Sequence, residues 1–124
     1  GDLGIMKIAF DVKGTIEGSK KQQVLRMFKL FQNAGHDVIV WSNSYGYAVD
    51  AIENNLLKNT NPHDKKMKMD VDYEEDRYVD IAIEDDRSQT WLAAKKFVFV
   101  DEIPTDMMLV DELVTKLLLD SNPL

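Results

Sequence analysis

The alternation of two kinds of segment along the chain predicts an α/β fold. Short apolar runs with the length of buried strands alternate with stretches whose apolar residues recur at helical spacing. The apolar residues of the strand-like runs are consecutive, which is typical of parallel strands covered on both faces. The 124 residues fit one domain, residues 1–124, and no repeat or Pro/Gly/Ser-rich linker divides them. We therefore expect a three-layer α/β/α domain with a mainly parallel, Rossmann-like sheet.

The composition is that of an ordinary globular domain, and it excludes several classes of function. Lys and Arg number 15 and Asp and Glu number 22, so the net charge of −7 argues against a broad nucleic-acid surface or an anionic-membrane surface. The absence of cysteine excludes disulfides, a thiol nucleophile and a cysteine zinc site, and it favours a reducing cytoplasm. No apolar run approaches the roughly 20 residues of a membrane span, and no signal peptide is visible. Met6 is a candidate for the natural start, which would make Gly1–Ile5 an addition to the natural chain.

The first third of the chain predicts a strand, a turn and a helix. Ile8–Asp11 is a short apolar run that ends on a carboxylate, and the turn Lys13-Gly14-Thr15 follows it. Ser19 and Gln22 have the spacing of a capping box, which predicts that a helix begins at Ser19. One apolar stripe continues this helix: Val24, Leu25, Phe28 and Phe31. Gly35 can adopt the left-handed conformation that ends it.

The middle of the chain predicts a second strand, a second helix and an edge strand. The strand is expected at Val38–Trp41, and it ends at Ser42. A helix around Tyr47–Leu57 follows, and Asn61-Pro62 stops it. One face of this helix is apolar: Ala48, Ile52 and Leu56. Apolar and charged residues alternate strictly over Met67–Tyr73, which predicts an edge strand with one wet face.

The last third predicts two more strands and a closing helix. Val79–Ile83 is an apolar strand that ends in three consecutive acids. A short helical turn is expected over Gln89–Ala94, and Phe97–Val100 is another apolar run. Met107–Leu119 has the pattern of an amphipathic helix that closes the domain.

Polar side chains follow three of the predicted strands at the point where each strand ends. They are Asp11, Ser42, and Asp85 with Asp86. Because the carboxyl ends of parallel strands meet at one edge of the sheet, where ligands bind, we expect these side chains to converge. The turn after the first strand also presents backbone amides. Carboxylates beside hydroxyl and amide donors are typical of a divalent-cation site with an adjacent phosphate cradle.

The same strand ends resemble the motifs of the haloacid dehalogenase-like (HAD) superfamily. Ile8–Thr15 is similar to the first motif, an apolar strand followed by Asp-x-Asp-Gly-Thr. Val38–Ser42 resembles the second motif, an apolar strand that ends in Ser or Thr, and Ile81–Arg87 resembles the fourth, which ends in paired acids. The three motifs occur in the family's order and extend over most of the chain. The resemblance therefore implies a HAD-like fold for the whole domain.

The resemblance also implies a phosphoryl-transfer mechanism. Asp11 would be the nucleophile that becomes an aspartyl phosphate, and Ser42 would hydrogen-bond a phosphoryl oxygen. Mg²⁺ would be held by Asp11, by the backbone carbonyl of Lys13 and by an acid of the fourth motif. Further contacts to the substrate would come from four residues: Gly14, Thr15, Asn43 and Lys66.

Two assignments within this implied site stay open. Three acids stand where the fourth motif needs two, so we favour Asp85 as the metal ligand, with Asp86 or Glu84 supporting it. The cation of the third motif, which contacts nucleophile and phosphate, has three candidates in order of preference: Arg77, then Lys66 or Lys68. The alternation around Met67 argues that the two lysines face solvent.

Lys13 departs from the family pattern. Phosphatases of the family usually have a second Asp at this position, which protonates the leaving group and later activates water. An ammonium is a poor base at neutral pH, and it could instead pair with Asp11 and Asp85 and displace Mg²⁺. We therefore expect a phosphatase-type hydrolase of weak activity. The alternative is a catalytically impaired HAD-like fold that serves as a phosphate-binding or protein-interaction module.

The intervals between the motifs predict a domain without a cap. Glu17–Ser19 is too short to hold a cap domain, and so is Asn43–Lys66 once its helix is counted. An uncapped site is open to solvent. It suits a phosphorylated substrate that is large, or a polymer end, better than a small metabolite.

Overall fold

The computed structural model describes residues 4–58, 60–62, 79–90 and 94–121. Within these residues, five parallel strands form one sheet: β1 (Lys7–Asp11), β2 (Asp37–Trp41), β3 (Asn61–Pro62), β4 (Val79–Glu84) and β5 (Ala94–Phe99). The same ranges contain three α-helices: α1 (Lys21–Asn33), α2 (Tyr45–Asn54) and α3 (Met107–Ser121). The predicted α/β class and the parallel sheet are confirmed, and the architecture is compatible with a Rossmann-like fold.

The strand order places β1 in the middle of the sheet. The order is β3-β2-β1-β4-β5. The strands β2 and β3 are therefore added on one side of β1, and β4 and β5 on the other. Phe10 of β1 lies opposite Val40 of β2 and Ile83 of β4, so the three central strands end at one level. The point between β1 and β4, where the order changes direction, is where open α/β sheets bind their ligands.

The main core lies on one face of the sheet, against the helices. Phe10 projects from β1 into the buried stripe of α1, and its ring centroid is 5.0 Å from that of Phe28. Consecutive strand residues point to opposite faces, so Ala9 and Trp41 belong to a second, smaller cluster. Among the described residues, the buried side chains of all three helices join the main core: Val24, Met27, Phe28 and Phe31 of α1, Ala48 and Ala51 of α2, and Val110, Val114 and Leu117 of α3.

The start of α1 differs from the predicted capping box. The helix begins at Lys21, and Lys20 occupies the N-cap position without a side-chain cap hydrogen bond, so the predicted start at Ser19 is wrong. The Lys20 ammonium instead donates to the backbone carbonyls of Val100, at 3.0 Å, and Ile103. This contact between distant parts of the chain fixes the entry into α1. The end of the helix is as predicted, because Gly35 follows it in the left-handed region with φ of +89°.

The second helix is displaced from its predicted position. It covers Tyr45–Asn54, and the Ser44 hydroxyl caps it by accepting from the Tyr47 amide at 3.4 Å. Leu56 was expected on the buried face, but it follows the helix with φ of +52° and is 81% exposed. Leu57 is buried in its place, because the backbone turns at Leu56 and reverses the face that points inward.

The remaining predictions have mixed outcomes. The short helical turn lies at Arg87–Gln89, slightly before its predicted position, and Ala94 already belongs to β5. The closing helix is confirmed as α3. The predicted edge strand at Met67–Tyr73 lies outside the described residues. Within the described parts of the chain, no helix combines the length and the apolar character that crossing a membrane requires.

Candidate metal centre

The sheet brings acidic side chains together at the point where its strand order changes direction. Asp11 is the last residue of β1, and Glu84 is the last residue of the adjacent strand β4. Asp85 follows directly. Carboxylate oxygens of these three residues all lie within 4.8 Å of one another, and we call them the acid cluster. This spacing suits oxygen ligands around one divalent cation.

Burial makes the acid cluster chemically unusual. Asp11 is 8% exposed and Glu84 only 1% exposed, whereas Asp85 faces solvent. Glu84 Oε1 also accepts a hydrogen bond from the backbone amide of Asp85, at 3.1 Å. Carboxylate oxygens are the ligands that hard divalent cations prefer, so the donor set fits an ion such as Mg²⁺.

The turn after β1 orients the first carboxylate. Thr15 is fully buried, and its hydroxyl donates to Asp11 Oδ2 at 3.3 Å. The backbone closes tightly here, because the Ile16 amide donates to the Asp11 carbonyl at 3.2 Å and the Thr15 amide to the Val12 carbonyl at 3.2 Å. Thr15 was predicted to contact substrate. In the structure, Thr15 supports Asp11 by donating to one of its two carboxylate oxygens, Oδ2.

Gly14 allows Asp85 to reach the cluster. Its φ is +77°, and a Cβ atom built on it would lie 2.1 Å from Asp85 Oδ2. Only glycine combines this backbone conformation with so close an approach. The Gly14 amide donates to the Glu17 carbonyl at 3.3 Å, and the contact of Gly14 with substrate stays a prediction. Gly14 thus contributes space for Asp85.

Ser42 stands at the end of β2, one strand away from Asp11. It is buried, and its hydroxyl oxygen accepts from the Ser44 amide at 3.1 Å. A hydroxyl that accepts one hydrogen bond can still donate its own proton. Trp41 lies opposite Asp11 in the sheet register, so Ser42 is one residue beyond the level of that carboxylate. Asn43 was predicted to contact substrate, and the structure places it as an exposed residue of the same loop.

Lys13 points to a different neighbour from the one predicted. Its ammonium lies 5.2 Å from the centroid of the Tyr47 ring, a cation–π geometry. Among the described residues, Lys13 forms no ion pair with the acid cluster. The predicted pairing with Asp11 and Asp85 is therefore not seen. Lys13 and Tyr47 both line a cavity of about 340 Å³.

The remaining predicted site residues lie apart from the cluster or outside the description. Asp86 accepts from the Ser88 amide at 2.9 Å and the Ser88 hydroxyl at 2.7 Å, so it caps the turn that follows β4. The acids that meet Asp11 are therefore Glu84 and Asp85. Arg77, Lys66 and Lys68, the candidates for the third-motif cation, lie outside the described residues.

Glu84 was ranked behind Asp85 because its position in the sheet was unknown. The register between β1 and β4 identifies Glu84 as a neighbour of Asp11. Ile83 lies opposite Phe10, so the next residue of each strand, Glu84 and Asp11, points to the same face. Alternation within β4 places Glu84 on the opposite face from Ile81 and Ile83, and the register with β1 shows that this is also the face of Asp11.

Comparison with known proteins finds no family model, no curated protein and no solved structure that matches the chain.

Proposed function

We propose that this protein is a Mg²⁺-dependent phosphohydrolase of the HAD type that uses Asp11 as its nucleophile. One observation carries the proposal: carboxylates from two adjacent strand ends, Asp11 and Glu84, meet Asp85 within 4.8 Å at the point where the strand order changes direction. The Ser42 hydroxyl at the end of the neighbouring strand supports it. The finer fold assignment, a HAD-like three-layer domain without a cap, is part of the same proposal.

The acid cluster would hold the metal, and its chemistry fits that role. Mg²⁺ bound by Asp11, Glu84 and Asp85 would neutralise charge between nucleophile and phosphate. Thr15 holds Oδ2 of Asp11, so the carboxylate is oriented before substrate arrives. Such preorganisation is what phosphoryl transfer requires of a protein, since positioning and electrostatics supply most of the catalysis.

The proposed reaction has two steps. In the first step, an Asp11 oxygen attacks phosphorus and forms an oxygen–phosphorus bond. The bond between phosphorus and the leaving-group oxygen breaks, and that oxygen keeps the bonding electrons and takes a proton from water. The Ser42 hydroxyl donates to a phosphoryl oxygen. In the second, water attacks the phosphorus of the aspartyl phosphate, gives up a proton, and releases inorganic phosphate with Asp11 restored.

Proton transfer is the weak part of this mechanism. Position 13 carries a lysine, and its ammonium lies against Tyr47. Neither step then has a carboxylic acid or carboxylate at that position to move the proton. Water must serve, which costs about 10²- to 10⁴-fold in rate relative to a placed general acid or base. We propose slow turnover, fastest for esters with good leaving groups.

The proposed substrate is a phosphoester presented to an open edge of the sheet. Asp85 is exposed, so the cluster is reachable from solvent, as suits a large phosphorylated substrate or a polymer end. The net charge of −7 argues against a broad nucleic-acid surface. A reducing, cytoplasmic location remains the expectation from the absence of cysteine.

A second function is favoured by the same lysine. If the missing acid prevents hydrolysis altogether, the fold would bind phosphate and Mg²⁺ without turnover, as a phosphate-binding or protein-interaction module. The presence of Lys13 at the proton-transfer position is the observation that supports this alternative.

Hydrolysis of an aryl phosphate against Mg²⁺ concentration separates the two functions. We expect slow, Mg²⁺-dependent turnover by the natural protein, none by Asp11→Asn, and up to about 100-fold faster turnover by Lys13→Asp, which restores a general acid and base. Asp37→Asn is the control, because it removes an exposed carboxylate at the opposite end of β2.

Two results would redirect the proposal. Binding of Mg²⁺ and inorganic phosphate without turnover in any variant supports the non-catalytic module. Fast turnover by the natural protein that Lys13→Asp slows means that Lys13 is itself a working catalytic group.

A further inference from the structure

The Lys13 side chain has two negatively polarised neighbours within its range. One is the face of the Tyr47 ring, where the ammonium lies, 5.2 Å from the centroid. The other is the acid cluster. The residue after Lys13 is Gly14, whose Cα is so close to Asp85 that a Cβ there would be 2.1 Å from Asp85 Oδ2. The Lys13 backbone therefore borders the cluster.

The two positions have opposite consequences for a metal. An ammonium among the carboxylates would neutralise charge and compete with a divalent cation for the same oxygens. An ammonium on the Tyr47 ring leaves those oxygens to the cation. Tyr47 belongs to α2, in the turn that Ser44 caps, so its place relative to the turn after β1 is set by the fold.

The cavity that Lys13 and Tyr47 line also contains charged residues. Lys13, Glu17, Lys21 and Asp50 line the same cavity as Tyr47. Glu17 is already engaged, since its carboxylate pairs with Lys21 at 3.3 Å and accepts from Asn55 at 2.9 Å. Within the described part of the chain, the contact that the structure gives for the Lys13 ammonium is the Tyr47 ring, at 5.2 Å from its centroid.

We propose that Tyr47 is a positioning residue that keeps the Lys13 ammonium at the cavity wall and so leaves the acid cluster available to Mg²⁺. The proposal rests on the metal site of the proposed function and deepens it. It also explains how a lysine two residues after Asp11 can coexist with a cation site.

The expected effect on metal affinity is modest and measurable. A cation–π contact at an exposed position such as this one corresponds to about a two- to fivefold bias in an equilibrium. Tyr47→Leu removes the ring and should raise the apparent Kd for Mg²⁺ by about that factor. Tyr47→Phe keeps the ring face and should leave the Kd within error of the natural value.

The experiment is a calorimetric titration with Mg²⁺ of six proteins. They are the natural chain, Tyr47→Leu and Tyr47→Phe, each with Lys13 and with Lys13→Met. In the Lys13→Met background, Tyr47→Leu should have no effect on the Kd, because no ammonium is left to release. A purely structural role of Tyr47 would weaken Mg²⁺ binding equally in both backgrounds.

The outcomes distinguish this proposal from the one on which it rests. If the natural protein binds no Mg²⁺, the metal site is overturned and this role of Tyr47 with it. If Mg²⁺ binds, but Tyr47→Leu leaves the Kd unchanged or raises it equally with Lys13→Met, only the role of Tyr47 is overturned. Circular dichroism of each variant verifies that α2 is intact.

Discussion

Both ends of the sheet carry polar residues, but the residues differ in whether groups of opposite or of the same charge lie together. At the amino end, hydrogen-bond donors meet acceptors, and a positive charge meets a negative one. The Met6 amide donates to His36 Nδ1 at 3.0 Å, and the Lys7 amide donates to Asp80 Oδ2 at 2.8 Å. Asp80 also pairs with Lys95 at 3.4 Å. Each contact ties neighbouring elements together, so this end of the sheet is built for stability.

At the carboxyl end, the sheet gathers groups of the same sign. Asp11 and Glu84 are both buried, and the exposed Asp85 stands beside them. Neighbouring carboxylates repel one another, and a bound cation would offset that repulsion. The proposed metal site therefore makes the carboxyl end the functional one. Its features should affect metal binding, whereas those of the amino end should affect only stability.

The largest difference is expected between two glycines. Gly14 and Gly35 both have positive φ, of +77° and +89°, so replacement of either by Ala should lower the free energy of unfolding by about 1–2 kcal/mol. Only at Gly14 does the new Cβ meet Asp85. Gly14→Ala should therefore also weaken Mg²⁺ binding by about 10- to 100-fold, the typical effect of changing a residue that positions a metal ligand.

Gly35→Ala supplies the control, since a Cβ there meets nothing within 4 Å. Chemical denaturation and Mg²⁺ titration measure the two effects separately. Equal losses of Mg²⁺ affinity in both variants would mean that the loss comes from general destabilisation and not from Asp85.

A smaller effect is expected from two threonines. Thr15→Val removes the hydroxyl that donates to Asp11 and should lower Mg²⁺ affinity about tenfold, because outer partners orient metal ligands. Thr115→Val is the matched variant on α3, where the hydroxyl donates to the Asp111 carbonyl at 3.0 Å. It should change neither affinity nor, beyond about 0.5 kcal/mol, stability. Unchanged affinity in Thr15→Val would remove Thr15 from the site.

The smallest effect is a pH dependence at the amino end. Burial lowers the pKa of His36, and the negative charge of Asp80 partly offsets this. The unfolded chain, with an imidazole pKa near 6.5, then takes up its proton first as the pH falls. Stability from His36 is therefore complete above about pH 6.5 and is lost as the pH drops toward the folded pKa.

Denaturation at pH 7.5, 6.5 and 5.5 measures this dependence, and His36→Gln should flatten it. The variant should leave Mg²⁺ affinity at pH 7.5 unchanged, since His36 lies at the opposite end of the sheet from the acid cluster. A change in that affinity would contradict the separation of the two ends.

The sequence predicted the strands better than the contacts between elements. Four strands, β1, β2, β4 and β5, are found close to where they were expected, because each contains a short apolar run, which is local information. The strand β3 was not predicted, since Asn61-Pro62 was expected only to stop the second helix. The start of α1 was missed because Lys20 bonds to carbonyls at Val100 and Ile103, about 80 residues away. No local pattern records such a contact.

The same distinction holds within the site. Asp11 and Asp85 were predicted from motifs at strand ends, and the structure brings them together. Glu84 required the register between β1 and β4, which the sequence does not state. Lys13 was expected beside the acids, and its actual neighbour, Tyr47, lies on a helix that begins two residues and ends three residues before its predicted boundaries.

The most direct test of the central claim compares two adjacent acids, Asp85 and Asp86. Only Asp85 belongs to the acid cluster, whereas Asp86 caps the following turn through Ser88. We predict that the natural protein melts at higher temperature with added Mg²⁺, that Asp85→Asn loses most of this shift, and that Asp86→Asn keeps it. Absence of any shift in the natural protein, or its equal loss in both variants, would contradict a metal centre at this edge of the sheet.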